Sequence, residues 1–388
     1  MEATQVENNM FDNPLSSQCL SLPELAKPQV EGALLGLSQA IPEDVLKKIR
    51  RVLITGCGDS YVAAQAAIPA FRKFAGRFGS QFSYARAIDA ARFTDFSSLG
   101  GENALVIGVS CSGGPARISE VLERANRYGC VSLALTNNPE SPAAKTAAYT
   151  YLVHTPEFPN ANPGLRNYFA SLTGLYLLAA KLGELTGCSK PGALEGMAAA
   201  IVENTAAWAG EMDRINSQML ALSEAWKDFE RFDYIGDDIQ FASAFFMAAK
   251  IVEVTGCMTA TDDSEDWCHV GFFQRDPHSI GTVVAADRYA NDWSRLRETL
   301  SQAAGIGRPT LLIVNGTQEG EVPEGVTVCS VPEAPKGYDF LLAMMNYVPG
   351  ALLAGYLSVR KQEPFFRGGG VWAQAGNNTI RTSKIEIV

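Results

Sequence analysis

The sequence predicts an α/β fold of two similar lobes, each a three-layer αβα sandwich around a central parallel sheet. Three observations predict it. Short, continuously apolar runs end in glycine- or serine-rich turns, and a segment with helical periodicity follows each of them. After a long helical stretch the same order begins again. Strands covered by helices on both faces lose the apolar–polar alternation of half-exposed strands, so unbroken apolar runs are the mark of a parallel sheet. A chain of 388 residues also exceeds what one core usually supports, and two domains are the natural division.

Taken in order, residues 1–44 are polar and proline-punctuated and are expected to form an arm and one helix. Arg51–Thr55 is the first strand and ends in Gly56-Cys57-Gly58. Asp59–Phe74 has helical periodicity. Ala104–Val109 is a buried-type strand ending in Ser110-Cys111-Ser112-Gly113-Gly114, and Pro115 opens the helix that follows, a residue favoured in a first turn. Val131–Thr136 is a third strand. Residues 166–228 are helical with few turn signals. The grammar then restarts with a strand at Asp233–Gly236, an apolar helix over Gln240–Thr255 and a strand at Ile280–Ala285. A helix at Trp293–Ala304 and strands at Thr310–Val314 and Val326–Val331 follow. A closing helix over 338–361 and a loop-like tail from Gly368 to Val388 complete the chain. The expected division is an arm at 1–44, a first domain at 45–190, a linking helix at 191–228, a second domain at 229–365 and a tail at 366–388.

Composition narrows the function. A formal charge of −10 argues against nucleic acid as a partner, because phosphate backbones are bound by clustered Lys and Arg. The eight cysteines are scattered singly with no CxxC pair, which removes the usual zinc and redox motifs and, with no signal peptide visible, favours a reducing cytoplasm. Apolar stretches are broken by polar residues before the roughly 20 that a membrane span needs, so no membrane partner is expected.

In open parallel sheets ligands bind beyond the carboxyl ends of the strands, where loops meet helix N-termini. The loops at 56–60 and 110–114 both stand there. Glycines let a ligand approach the backbone, and N–H groups and Ser60, Ser110 and Ser112 hydroxyls can donate to an anion. The alternative is a pair of ordinary strand-to-helix turns with serine caps. The first loop begins G-x-G, but Tyr61 stands where the dinucleotide fingerprint needs a small residue, and no Walker lysine follows either loop. Lys250 and Glu253 share one face of an apolar helix, as a functional pair or as a simple salt bridge. His269 lies in an acidic-aromatic stretch whose spacing matches no standard metal set, and no metal or other cofactor is expected.

These residues together resemble the double-SIS (sugar isomerase) family, which includes the isomerase domain of glucosamine-6-phosphate synthase and the fructosamine-6-phosphate deglycases. The likeness covers roughly residues 45–388; the synthase's amidotransferase half finds no counterpart. Gly56-Cys57-Gly58-Asp59-Ser60-Tyr61 resembles the family's CGTSY loop, and Ser110-Cys111-Ser112-Gly113 its SQSG phosphate loop. The helix through Glu253 aligns without a gap with GRGDQYPIALEGALKLKE, and His269 then falls on the family's KHG histidine. Three positions depart: Asp59 and Pro115 replace threonines and Gly164 a serine, with Arg166 in place of the following lysine.

The resemblance implies two flavodoxin-like SIS lobes with the site at their interface, closed by the tail. The sugar phosphate would be bound by Cys57, Gly58, Ser60, Ser110, Cys111, Ser112, Gly113 and Arg166. Glu253 would be the proton-transferring base, Lys250 or Lys384 the oxyanion partner and His269 the ring opener, contributed across a homodimer. The expected activity is aldose–ketose isomerisation, or deglycation, of a hexosamine- or fructosamine-type phosphate. Non-catalytic phosphosugar sensing is the alternative.

Overall fold

In the computed structural model, residues 11–77, 79–316, 320–367 and 379–388 are described. They fall into two compact units that interleave in sequence. The first holds Glu24–Glu157, Arg166–Glu203 and residues 379–388; the second holds residues 11–23, Phe158–Leu165 and residues 204–367. The division therefore crosses the N-terminal segment and the long helical region instead of following consecutive blocks.

The first unit is built on a five-stranded sheet of β1 (Arg51–Gly56), β2 (Gln81–Arg86), β3 (Ala104–Val109), β4 (Val131–Thr136) and β5 (Tyr149–Leu152). All pairs are parallel, in the order β2-β1-β3-β4-β5. This is the flavodoxin-like arrangement, in which the order reverses between β1 and β3. Every residue of β3 is buried, because helices cover both sheet faces. Leu53 and Val106 meet Val121 and Ala125 of the Ala116–Arg127 helix on one side. The edge strands β2 and β5 carry no apolar run; β2 is largely exposed, so nothing in its composition announces a strand. The Leu22–Ala40 helix covers β5, and Gly36 brings its backbone so close to Leu152 that a Cβ would sit 2.1 Å from the Leu152 carbonyl oxygen.

The second unit repeats the plan with β6 (Arg231–Gly236), β7 (Met258–Asp262), β8 (Ile280–Asp287), β9 (Thr310–Asn315) and β10 (Val326–Val331), again wholly parallel. Its order, β10-β9-β8-β6-β7, is the same flavodoxin-like order read from the other edge, and β7 is again an edge strand without an apolar run. Ile235, Val284, Leu312 and Val314 pack on Trp267, Leu296 and Leu300.

Three expectations change. The N-terminal segment forms two helices, Pro14–Leu20 and Leu22–Ala40, and Asn13 caps the first through a reciprocal bond with Ser16. The 166–228 region is three helices, Leu165–Leu185, Ala193–Ala209 and Met212–Ala225, interrupted near Gly187, Gly192 and Gly210. Finally, residues 339–360 do have the length and mean hydropathy (1.5) of a membrane span, contrary to the reading from interruptions. Apart from exposed Asp339 and half-buried Val359 and Arg360 they are buried, as a core segment of the second unit. The Gly368-Gly369-Gly370 start of the tail lies outside the described residues.

Candidate active site

The first unit's loops leave β1 and β3, the two strands flanking the reversal of strand order. The 56–60 turn is set by two glycines. At Gly56 a Cβ would lie 2.4 Å from the Ser60 carbonyl carbon, and Gly58 holds φ +53°, a conformation that L side chains rarely adopt. Cys57 and Gly58 are exposed, and Ser60 is half-buried at the start of the Asp59–Ala75 helix.

In the 110–114 loop, Gly113 has φ +59°, and a Cβ there would clash with Ser141, 2.0 Å from its Oγ. Ser110 Oγ accepts the Gly113 N–H at 3.1 Å and Ser112 Oγ accepts the Gly114 N–H at 3.3 Å. Each hydroxyl hydrogen therefore remains available to an incoming anion. The Cys111 carbonyl is held by Asn137 N and Thr136 Oγ1, both at 3.0 Å. Burial pushes the Cys111 thiol up, offset in part by the Asn137 Nδ2 hydrogen bond at 3.4 Å.

The alternative of serine-capped turns is not what forms. Gly58 and Pro115 occupy the N-cap positions and neither helix receives a side-chain cap. The Ser60, Tyr61 and Ile118 N–H groups close onto the Cys57, Gly58 and Pro115 carbonyls instead, so the helix starts offer their positive end to an anion without a capping side chain in the way.

Two arginines that the sequence did not single out stand at this place. Arg381 Nε lies 3.3 Å from where a Gly114 Cβ would be, and the Ser112 hydroxyl lies 3.5 Å from the same point. Arg381 makes no hydrogen bond or ion pair among the described residues. Arg117 is tied to Glu120 and donates to Ser383 Oγ at 3.3 Å and to the Lys384 carbonyl. Arg92 bonds Glu386 at 2.8 Å and Arg124 donates to the Val388 carbonyl at 3.0 Å, so residues 383–388 are pinned along the Ala116–Arg127 helix. No sequence motif marks Arg381, because its place depends on where the tail docks. Lys384, by contrast, faces solvent with 81% of its side chain exposed and meets Glu386 at 3.2 Å. Arg166 is buried at the start of the Leu165–Leu185 helix, its guanidinium 3.5 Å from the Pro156 carbonyl, and burial lowers its pKa.

In the second unit, Lys250 is fully buried on the Ile239–Thr255 helix, its Nζ 2.7 Å from Glu253 Oε2 and 4.7 Å from the centre of the Phe246 ring. A buried ammonium needs such a partner, so the pair has a structural role whatever else it does. The Glu253 side chain is one-third exposed, and its carbonyl accepts the Arg367 N–H at 2.9 Å. His269, at the end of the Ser264–His269 helix, is exposed and bonds Glu265 Oε1 at 3.0 Å; the structure does not bring it to Glu253. The Glu265 carboxyl is held low by that bond and by Arg295. The segment carrying His269 is anchored by a buried network: Asp233 accepts from Arg308 at 2.8 Å, Trp267 Nε1 at 3.0 Å and Gln274 at 3.2 Å. Asp262, Asp263 and Asp266 converge enough to share a cation, but they are partly or fully exposed and nothing else marks a metal site there.

Comparison with known proteins bears on this arrangement. Residues 45–181 match the SIS domain model. The glutamine–fructose-6-phosphate aminotransferase (isomerizing) of Lactiplantibacillus plantarum is 26% identical over 329 residues, covering 81% of this chain and 49% of that protein. The chain thus spans about half the length of the curated relatives it matches. The C-terminal domain of glucosamine-fructose-6-phosphate aminotransferase from Francisella tularensis superposes with a TM-score of 0.80 at 16% identity, covering 92% of this chain and 98% of that one. Tagatose-6-phosphate ketose/aldose isomerase from Escherichia coli superposes at 0.65 with 15% identity, covering 96% of both chains. With the match at 45–181 and two flavodoxin-like parallel sheets, the chain carries an SIS domain in its first unit and resembles the isomerase domain of glutamine–fructose-6-phosphate aminotransferase.

Proposed function

We propose that the protein is a phosphosugar isomerase, or the related deglycase, acting on a hexosamine- or fructosamine-type sugar phosphate. The observation that carries this is the 110–114 loop: two serine hydroxyls with free protons, an uncapped helix N-terminus behind them and the Arg381 guanidinium beside them. Together they present donors and positive charge to a dianion in a chain whose net charge is −10. Arg381 takes up the role left open by Pro115, which has no hydroxyl to offer. Ser60 and the 56–58 backbone complete the phosphate cradle, with Cys57, Cys111, Gly113 and Arg166 shaping it.

Glu253 is the base in this reading, moving a proton between C1 and C2 of the open-chain sugar, and Lys250 stabilises the enediolate oxygen. His269 acts from a second copy of the chain to open the ring, in keeping with its exposure. Lys384 serves only if the tail turns its side chain inward. The names of the relatives, an isomerizing aminotransferase and a ketose/aldose isomerase, agree with this chemistry. One observation favours a second reading, phosphosugar binding without turnover: Glu253 is already closed onto Lys250.

The test is a thermal-shift panel of hexose, hexosamine and fructosamine phosphates, followed by turnover assays with whatever binds. A ligand specific for the native state raises the melting temperature by mass action. Stabilisation by one phosphate class with turnover supports the enzyme, stabilisation alone supports the sensor, and no stabilisation of a folded sample overturns both.

A further inference from the structure

The fourth strand of each unit leads to the same residue. In the first unit β4 runs through Ser132-Leu133-Ala134-Leu135-Thr136 into Asn137; in the second β9 runs through Thr310-Leu311-Leu312-Ile313-Val314 and ends on Asn315. The two strands hold the same place in their sheets, beside β3 and beside β8. Each asparagine faces the loop that leaves that neighbour. The Asn137 N–H donates to the Cys111 carbonyl at 3.0 Å, and Asn315 lies opposite Asp287 in the β8–β9 register. Both side chains clamp the loop with their nitrogen. Asn137 Nδ2 is 3.4 Å from Cys111 Sγ, and Asn315 Nδ2 donates to Asp287 Oδ1 at 2.9 Å.

The oxygen of the amide is used differently. In the second unit Asn315 Oδ1 accepts the Arg288 N–H at 2.9 Å, so the clamp is closed, and Asn315 is buried. In the first unit Ser112, the residue after Cys111, stands where Arg288 follows Asp287. The Ser112 N–H has no partner among the described residues, and neither has Asn137 Oδ1. Ser112 is exposed, and Asn137 is half-buried with an Oδ1 that reaches the surface. The Asn137 amide is also held in place: Nδ2 lies 2.9 Å from Thr155 Oγ1 and 3.0 Å from Asn167 Oδ1, so Oδ1 is the end left open. A donor and an acceptor that are joined in one unit are therefore both open in the other, in the loop that carries the serine hydroxyls.

A fully ionised phosphate answers only the donor, because it has no hydrogen to offer a carbonyl oxygen. The acceptor must be met by another part of the same ligand. We propose that Asn137 is a specificity-determining residue of the first unit's site. Its Oδ1 accepts the hydrogen of a sugar hydroxyl near the phosphate, while the Ser112 N–H donates to a phosphate oxygen. This assignment rests on the phosphate reading of the 110–114 loop given above.

Isothermal titration of the full chain tests it, with glucosamine 6-phosphate, fructose 6-phosphate and inorganic phosphate as probes. Asn137→Ala should weaken the tighter-binding sugar phosphate about five- to tenfold, the worth of one well-placed hydrogen bond, and inorganic phosphate less than about twofold. Asn315→Ala, which opens the second unit's clamp, should leave the binding of both unchanged. Equal losses for sugar phosphate and inorganic phosphate would make Asn137 a support of the loop only and overturn the proposal. No loss for either probe, or the same loss in Asn315→Ala, would overturn it as well. Failure of the folded, unaltered chain to bind any of the three would overturn the phosphate reading itself, and this assignment with it. If Asn137→Ala does not fold, crystals of the unaltered chain with the tighter sugar phosphate decide. A sugar hydroxyl within hydrogen-bonding distance of Asn137 Oδ1 supports the assignment; any other ligand group there, or none, refutes it.

Discussion

The two units use one turn to opposite ends. In the first, β1 leads through Gly56-Cys57-Gly58 into a helix; in the second, β6 leads through Gly236-Asp237-Asp238 into its counterpart. Gly56 and Gly236 make the same close approach to the residue four positions on, where a Cβ would lie 2.5 Å from the Ser60 carbonyl oxygen and 2.4 Å from that of Gln240. The N-cap residues share a backbone conformation, φ +53°, ψ −126° at Gly58 and φ +44°, ψ −112° at Asp238. Yet the first turn opens beside serines and arginines and the second among carboxylates. The scaffold fixes where a ligand can approach, and the side chains on the loops fix its charge. Asp238 also shows that the second unit tolerates strain where the first uses glycine.

The largest expected effect falls on chemistry. Glu253→Gln should lower turnover by about 100- to 10,000-fold, the usual worth of a positioned base, measured as steady-state rate with the phosphosugar that binds. It should also lower the melting temperature, because the buried Lys250 loses the counter-charge that Glu253 supplies. A drop in stability with full turnover would reduce Glu253 to a structural partner and separate the two units' roles differently.

Next come the buried ion networks that hold each unit's functional segment. Asp233→Ala should cost about 3–5 kcal/mol in chemical denaturation, since Arg308 would be stranded in the core together with the Trp267 and Gln274 donors. Glu120→Ala in the first unit should cost a similar amount and, in addition, free residues 383–388. Arg117 and Arg92, which reach the tail, are both held by Glu120. Faster amide exchange in the tail of Glu120→Ala but not of Asp233→Ala would sharpen that distinction.

The shared turn gives a smaller test. Asp238→Gly should stabilise the chain by about 1 kcal/mol by relieving positive-φ strain, and Gly58→Ala should destabilise it by about 1–2 kcal/mol. Equal signs for the two would mean that the turns are not equivalent.

The smallest effect is a pH slope. Folded Asp292 keeps its proton up to about pH 6, whereas an unfolded aspartate releases it near 4. Between those values the folded chain binds the extra proton, so the stability this group contributes is present at low pH and is lost as pH rises through 6. Melting temperatures from about pH 4 to 7 should fall more steeply in the unaltered chain than in Asp292→Asn.

Much of the frame was legible in residue order. The central strands β1, β3, β4, β8 and β9 are continuous apolar runs because both their faces are buried. The edge strands β2 and β7 were not, because half-exposed edges need no apolar run. The serine and glycine loops were legible as loops that leave the carboxyl ends of central strands. Arg381 was not, because a tail residue reaches the 110–114 loop only through Arg117, Arg92 and Arg124 docking its neighbours.

What the sequence alone determined is therefore periodic and local: a doubly repeated parallel α/β plan, the glycine-bound turns and the Lys250–Glu253 spacing on one helix face. Tertiary structure alone decided which groups meet. It turned Lys384 to solvent, tied His269 to Glu265, stood Arg381 over Gly114 and gathered six carboxylates around one cavity. Backbone pattern follows from each residue and its near neighbours. The charge and hydrogen bonding of a site follow from side chains far apart in the chain, and only packing brings those together.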